Sequence, residues 1–168
     1  MSHSDIYSCK TVWMVLEDVQ KREIADLTVP IDFTIIQIDS KMKLADLWYN
    51  VVADAFGNSL SLTKDEFEAK YIKESQIHID AVYFAQHIVS GEYAACCCAC
   101  RDNTNTGIGR LHWLATRKSF QGRGLGRLLA LKCIHHHKCN KLNKVQLKTE
   151  SFRSIAMDLY FSLGFVAA

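Results

Sequence analysis

Apolar positions along the chain change period several times, and each change marks an element. Val12-Trp13-Met14-Val15-Leu16 and Phe33-Thr34-Ile35-Ile36-Gln37-Ile38 are β-branched and aromatic, which predicts two strands on either side of Pro30. Over residues 44–56 the apolar side chains are Leu44, Leu47, Trp48, Val51, Val52, Ala55 and Phe56, the i, i+3, i+4 spacing of one helical face. Gly57 stops that helix, because glycine takes the left-handed backbone that closes a helix C-terminus. Thr63 and Glu66 form a capping-box pair and open a second helix carrying Phe67, Tyr71 and Ile72.

From Ala81 onward strand follows strand. Val82-Tyr83-Phe84-Ala85, residues 93–100 and residues 108–116 predict an antiparallel meander, with turns at Ser90-Gly91 and in the polar tract 102–107. A glycine-rich turn at 121–126 comes next, then an apolar helix as far as His137 and a strand at Val145-Gln146-Leu147. A last helix carries Ile155, Ala156, Leu159, Tyr160 and Leu163. This order predicts an α/β protein with a mixed, mostly antiparallel twisted sheet and helices on both faces. No repeat or Gly/Ser/Pro linker divides the 168 residues, so one domain is expected over residues 1–168, with N-terminal strands in 1–40.

Composition narrows the class. With 49% hydrophobic and 23% charged residues the chain has enough for one apolar core and is not a disordered sequence. No apolar run approaches the roughly 20 residues of a membrane-spanning helix, and Met1-Ser2-His3-Ser4-Asp5 lacks a basic-then-apolar signal. A cytoplasmic protein without a membrane partner is expected. Seven cysteines show no framework spacing, and four crowd at Cys96, Cys97, Cys98 and Cys100, where neighbouring strand side chains point to opposite faces and cannot bridge. That usage fits a reducing compartment, with cysteine serving as a small hydrophobe.

A net charge of +2 conceals an asymmetry. Ten Lys or Arg and no Asp or Glu lie from Arg110 to Lys148, leaving ten basic against eighteen acidic residues elsewhere, a balance of −8. Such a stretch attracts a polyanion. Phe120 is the one Phe, Trp or Tyr between Arg117 and Lys144, too few for stacking bases, so a phosphorylated cofactor is expected and nucleic acid is not.

The informative stretch is Gln121-Gly122-Arg123-Gly124-Leu125-Gly126-Arg127, which follows a strand and opens a helix. Glycines let backbone N–H groups approach a ligand, and a helix start leaves its first N–H groups unpaired with positive dipole there. Arg123 and Arg127 add charge to the same turn, which reads as a pyrophosphate cradle. The turn has no Lys-Ser/Thr pair for a P-loop, and glycines at 122, 124 and 126 are not the Gly-x-Gly-x-x-Gly of a dinucleotide fold.

Two motifs carry a resemblance to a known family. The strand Leu111-His112-Trp113-Leu114-Ala115-Thr116 leads into Gln121-Gly122-Arg123-Gly124-Leu125-Gly126, and Ala156-Met157-Asp158-Leu159-Tyr160-Phe161-Ser162-Leu163-Gly164-Phe165 follows the next strand. Together they resemble the Gln/Arg-x-x-Gly-x-Gly/Ala and Ala-x-x-Leu-Tyr-x-x-x-Gly-Phe signatures of the GNAT superfamily of acetyl-CoA-dependent N-acetyltransferases. The resemblance covers residues 108–165, which would form the acetyl-CoA-binding core. It implies that Leu114, Ala115 and Thr116 offer backbone groups to the pantetheine arm. It also implies that Gln121, Gly122, Arg123, Gly124, Leu125, Gly126 and Arg127 hold the pyrophosphate, and that Tyr160 gives a proton to the departing thiolate. The resemblance further implies that an amine acceptor attacks the thioester directly and that no metal takes part. The rival reading is a GNAT-like module that keeps CoA without turnover.

The chain departs from the family at three places. Arg110 and Lys148 stand where some members carry a glutamate, Arg153 stands where many carry asparagine, and only Val166-Ala167-Ala168 follow the Gly-Phe pair. His112 is then the expected base, as a residue on the strand feeding the site that titrates near neutrality. The short end predicts an open sheet edge, covered by the N-terminal strands or by self-association into a homodimer. The run His135-His136-His137 cannot converge on one ion, since successive helical positions diverge by about 100°. Tyr160, Trp48, Tyr49 and Phe56 are each read two ways from the pattern, as core aromatics or as residues lining a site.

Overall fold

The computed structural model describes residues 10–38, 41–73, 77–102 and 105–168. In chain order the elements are β1 (Thr11–Leu16), β2 (Phe33–Gln37), α1 (Lys41–Phe56), α2 (Lys64–Glu68), β3 (Ile77–His87), β4 (Tyr93–Asp102) and β5 (Asn105–Thr116). They continue with α3 (Leu125–Cys139), β6 (Lys144–Glu150), α4 (Ser154–Ser162) and β7 (Val166–Ala167). The seven strands make one sheet in the order β2-β3-β4-β5-β6-β1-β7, antiparallel throughout except for the parallel β5–β6 pair. Among the described residues no helix is long and apolar enough to cross a membrane.

Local chemistry explains most element boundaries. The capping box is present: Glu66 N–H donates to Thr63 Oγ1 at 3.3 Å and Thr63 N–H donates to Glu66 Oε2 at 2.8 Å. Gly57 takes φ +52°, as a helix stop requires. Strand β4 alternates as period two dictates. Ala95, Cys97 and Ala99 enter the core under α3 and α4, while Cys96, Cys98 and Cys100 enter the core under α1 and α2. These are small side chains on both faces of a central strand, and burial pushes the Cys96 and Cys98 thiols well up, which makes them poor nucleophiles. Cys9 lies outside the described residues.

The N-terminal strand settles what lies beside β6. β1 pairs antiparallel with β6 from Thr11↔Glu150 to Leu16↔Val145, and on its other side with β7 at Met14↔Ala167 and Val15↔Val166. Met14 and Leu16 are buried beneath it. Of the two covers expected for that edge, the N-terminal strands or a second subunit, this chain's own first strand lies beside β6.

Candidate active site

Strands β5 and β6 start as neighbours and then part. Their ladder runs only from Ile108↔Lys144 to Arg110↔Gln146, although β5 continues to Thr116 and β6 to Glu150. A bulge accompanies the parting. Cys98 faces His112 but Cys96 faces Ala115, so β5 carries one residue more than β4 there, and Trp113 sits at φ +48°. A bulge of this kind bends its strand and turns it from its neighbour. A bulky residue in that backbone region is strained and persists only where packing holds it. Here the Trp113 ring is held by Phe56, Phe67 and Tyr71 at centroid distances of 5.5, 5.7 and 5.6 Å. Trp48 is fully buried in the same aromatic cluster and is a core residue, while Tyr49 packs on Phe67 and donates to Leu62 O at 3.2 Å.

Two clefts open from the parting strands. The larger, about 690 Å³, is lined by Leu114, Ala115 and Thr116 of β5, by Gln121, Gly122, Gly124, Leu125 and Gly126 of the turn, and by Phe152, Ser154 and Ile155 at the start of α4. The smaller, about 470 Å³, is lined by His112, Trp113, Lys70, Tyr71, Lys148 and Glu150, among others. Phe56, Leu114, Arg153, Ala156 and Tyr160 line both. The two spaces meet at those five residues.

The glycine turn faces the larger cleft. Gly122 and Gly124 take φ +77° and +78°, and Gly124 caps the start of α3. The first hydrogen bond of that helix is Leu128 N–H to Gly124 O at 3.0 Å, so the N–H groups just ahead of it have no helical acceptor. Gln121 braces the turn by donating from Nε2 to Thr116 O at 3.2 Å. Arg123 and Arg127 flank the turn from outside: Arg123 lies 5.2 Å from the Phe120 ring, and Arg127 Nη1 donates to Ser162 Oγ at 2.9 Å. Part of the basic stretch is spent elsewhere, with Arg117 on Glu92 at 3.6 Å and Lys144 on Glu17 at 2.7 Å.

Tyr160 is buried, 7% exposed, with its ring against Phe165 at 5.9 Å. Burial pushes its phenol above the usual range, so it remains a protonated donor at any ordinary pH. His112 differs from its sequence expectation. Its ring stacks between Tyr71 and Trp113 at 5.4 Å from each, and its Nε2 is sealed from solvent with no partner. Burial first, and then Arg110, Lys70 and Lys148, push it down to about 3. It lines the smaller cleft as a neutral ring and does not titrate near neutrality. The stability that depends on a neutral ring is full above the free value of about 6.5 and is lost as pH falls toward 3. His112→Ala is accordingly expected to leave the shape of the rate–pH profile unchanged above about pH 5, measured as kcat/KM.

Sequence reasoning passed over Glu150 as a site residue. It ends β6, pairs with Arg153 through Nε and Oε2, and among the described residues is the one acidic side chain lining the smaller cleft. Phe152 and Ile155 were missed as well. Phe152 lay outside every periodic set, and Ile155, which the helical spacing grouped with the inward-facing residues of the last helix, is 87% exposed; both stand at the mouth of the larger cleft.

Comparison with known proteins decides what this frame is. Residues 46–165 match the acetyltransferase (GNAT) family. The chain belongs to that family. Among curated relatives, mycothiol acetyltransferase of Tsukamurella paurometabola is 40% identical over 60 residues, 36% of this chain and 20% of that protein. The Nocardia farcinica mycothiol acetyltransferase is 39% identical over 61 residues, with the same shares covered. The matched stretch thus spans about a fifth of those relatives. Among solved structures, a GCN5-related N-acetyltransferase from Sphaerobacter thermophilus superposes with TM-score 0.76 at 17% identity, over 95% of this chain and 49% of that one. The ribosomal-protein-S18-alanine N-acetyltransferase from Escherichia coli gives TM-score 0.62 at 20% identity, over 81% of this chain and 79% of that one. These likenesses are of fold. In this GNAT chain β1 falls outside the matched residues 46–165 and still fills the sheet between β6 and β7.

Proposed function

We propose that this GNAT chain transfers the acetyl group of acetyl-CoA to the primary amine of a small molecule, peptide or protein. The observation that carries the proposal is the meeting of the two clefts at Leu114 and Tyr160, beside the glycine turn. The residues fit the co-substrate. The turn offers unpaired N–H groups and helix dipole to a pyrophosphate, and the edge of β5 beyond Arg110 offers backbone groups to an extended amide-bearing arm. The curated relatives named as acetyltransferases support acetyl transfer as the reaction.

The chemistry follows from what the shared wall holds. A neutral amine in the smaller cleft attacks the thioester carbon, and a backbone N–H of the unpaired stretch of β5 steadies the oxyanion. The C–S bond breaks, and the leaving thiolate takes the hydroxyl proton of Tyr160. The proton shed by the new amide nitrogen passes through water to Glu150, a carboxylate lining that cleft, and Tyr160 regains a proton from solvent as the products leave. His112 serves there as a neutral wall beside the acceptor. Among the described residues, Lys70, Lys148 and Arg153 surround the same space with Glu150 as the single acid, which favours acceptors carrying an anionic group near the amine.

A panel of amines assayed for release of CoA thiol tests the reading. Steady release is expected, with a lower KM for amines bearing a carboxylate than for their neutral analogues. CoA binding with no release from any amine would leave a CoA-holding module in its place.

A further inference from the structure

On the opposite face of the sheet from the smaller cleft, two histidines and a carboxylate come together. The geometry points to a binding site for a divalent transition-metal ion of the zinc class, held by Asp80 of β3 and by His136 and His137 of α3. One donor atom from each of the three lies within 4.8 Å of the others.

Three observations converge on that site. First, His137 is fully buried, and its Nε2 lies 3.1 Å from Arg110 O. A carbonyl only accepts, so Nε2 carries the proton and Nδ1 is left as a bare lone pair. That Nδ1 is buried with no partner. Second, His136 Nδ1 lies 2.8 Å from Tyr83 Oη, and its Nε2 is likewise buried and unpartnered. Each imidazole therefore has one nitrogen anchored in the protein and the other unused, the arrangement of metal-bound histidines whose far N–H is fixed by a neighbour. Third, Asp80 is the extra residue of a bulge: Ile79 faces Cys100 and Ala81 faces Ala99. The bulge re-aims one side chain, and here it delivers a carboxylate to α3.

The backbone makes room for this arrangement. A Cβ on Gly109 would fall 2.5 Å from His137 Cγ and 2.6 Å from its Nδ1, so only glycine at 109 lets the ring lie flat on β5. His135 turns outward, 3.6 Å from Cys139 Sγ, and takes no part. Three consecutive histidines do not converge, as the helix period requires; two of them do so with an aspartate that lies far away in sequence. Tetrahedral donors around zinc stand about 3.4 Å apart at bond lengths near 2.1 Å, so donors within 4.8 Å of one another have to close by up to about 1.4 Å. The cation opposing entry is Arg101, whose Nε lies 2.9 and 3.1 Å from the two Asp80 oxygens, with His78 Nε2 at 3.4 Å and Lys132 beyond Tyr83. An ion has to share Asp80 with Arg101.

Titration of the chelator-treated full chain with Zn²⁺ by calorimetry, and with Co²⁺ by visible absorption, tests the site. One equivalent is expected to bind, with intense d–d bands for Co²⁺ and a higher melting temperature with Zn²⁺. Asp80→Asn and His136→Gln, both at partly exposed positions, are expected to weaken binding by about tenfold or more. Arg101→Gln should tighten it, and His135→Gln should leave it unchanged. Circular dichroism of each variant separates lost binding from lost fold. The proposal is overturned if the wild-type chain takes up no ion, or if binding survives Asp80→Asn and is lost in His135→Gln.

Discussion

Tyr160→Phe is expected to lower kcat by about 10²- to 10³-fold, within the usual contribution of a positioned general acid. KM for acetyl-CoA should move by less than about threefold, because the ring that lines both clefts remains and only the hydroxyl is gone. The reason is the state of the phenol. Burial holds it protonated, so in the proposed reaction the proton for the leaving thiolate is in place and cannot be titrated away first. Its loss should therefore depress the rate by the same factor across the assay pH range. Single-turnover rates of CoA release are the measurement, and a change below about threefold would remove Tyr160 as the donor.

Gly124→Asp is expected to weaken acetyl-CoA binding by at least about 100-fold, since bringing like charges together costs several kcal/mol. The position allows the test to be clean. A Cβ at Gly124 meets no atom within 4 Å, so the new side chain fits, and aspartate tolerates the left-handed backbone better than most residues do. Gly124→Ala is the control. It carries the backbone strain without the charge and should lose far less affinity. Calorimetric titration with CoA reads both, and equal losses in the two variants would mean that backbone shape, not phosphate binding, is what the turn supplies.

Much of this molecule is local and was legible as such. The capping box at Thr63 and Glu66, the alternation of small residues through Cys96, Cys97 and Cys98, and the glycine turn ahead of α3 each depend on neighbours a few residues away. Their physics is contained in a short window, so a window of sequence suffices. The same holds for Tyr160, whose place on α4 follows from helical spacing together with the motif around it.

Other features depend on residues distant along the chain, and no window contains them. β1 reaches β6 across more than a hundred residues, and that pairing fills the place beside β6 in the sheet. His112 looked like a titrating base because its ordinary value is near neutral. Tyr71, Trp113 and three surrounding cations, brought together only by folding, hold it neutral instead. Asp80 meets His136 and His137 through a bulge and a helix packed across the sheet. Residue type and short-range spacing determined which backbone shapes form and where charge is available. Tertiary packing alone decided which groups lose water and which distant groups become neighbours, because desolvation and contact are properties of the assembled core.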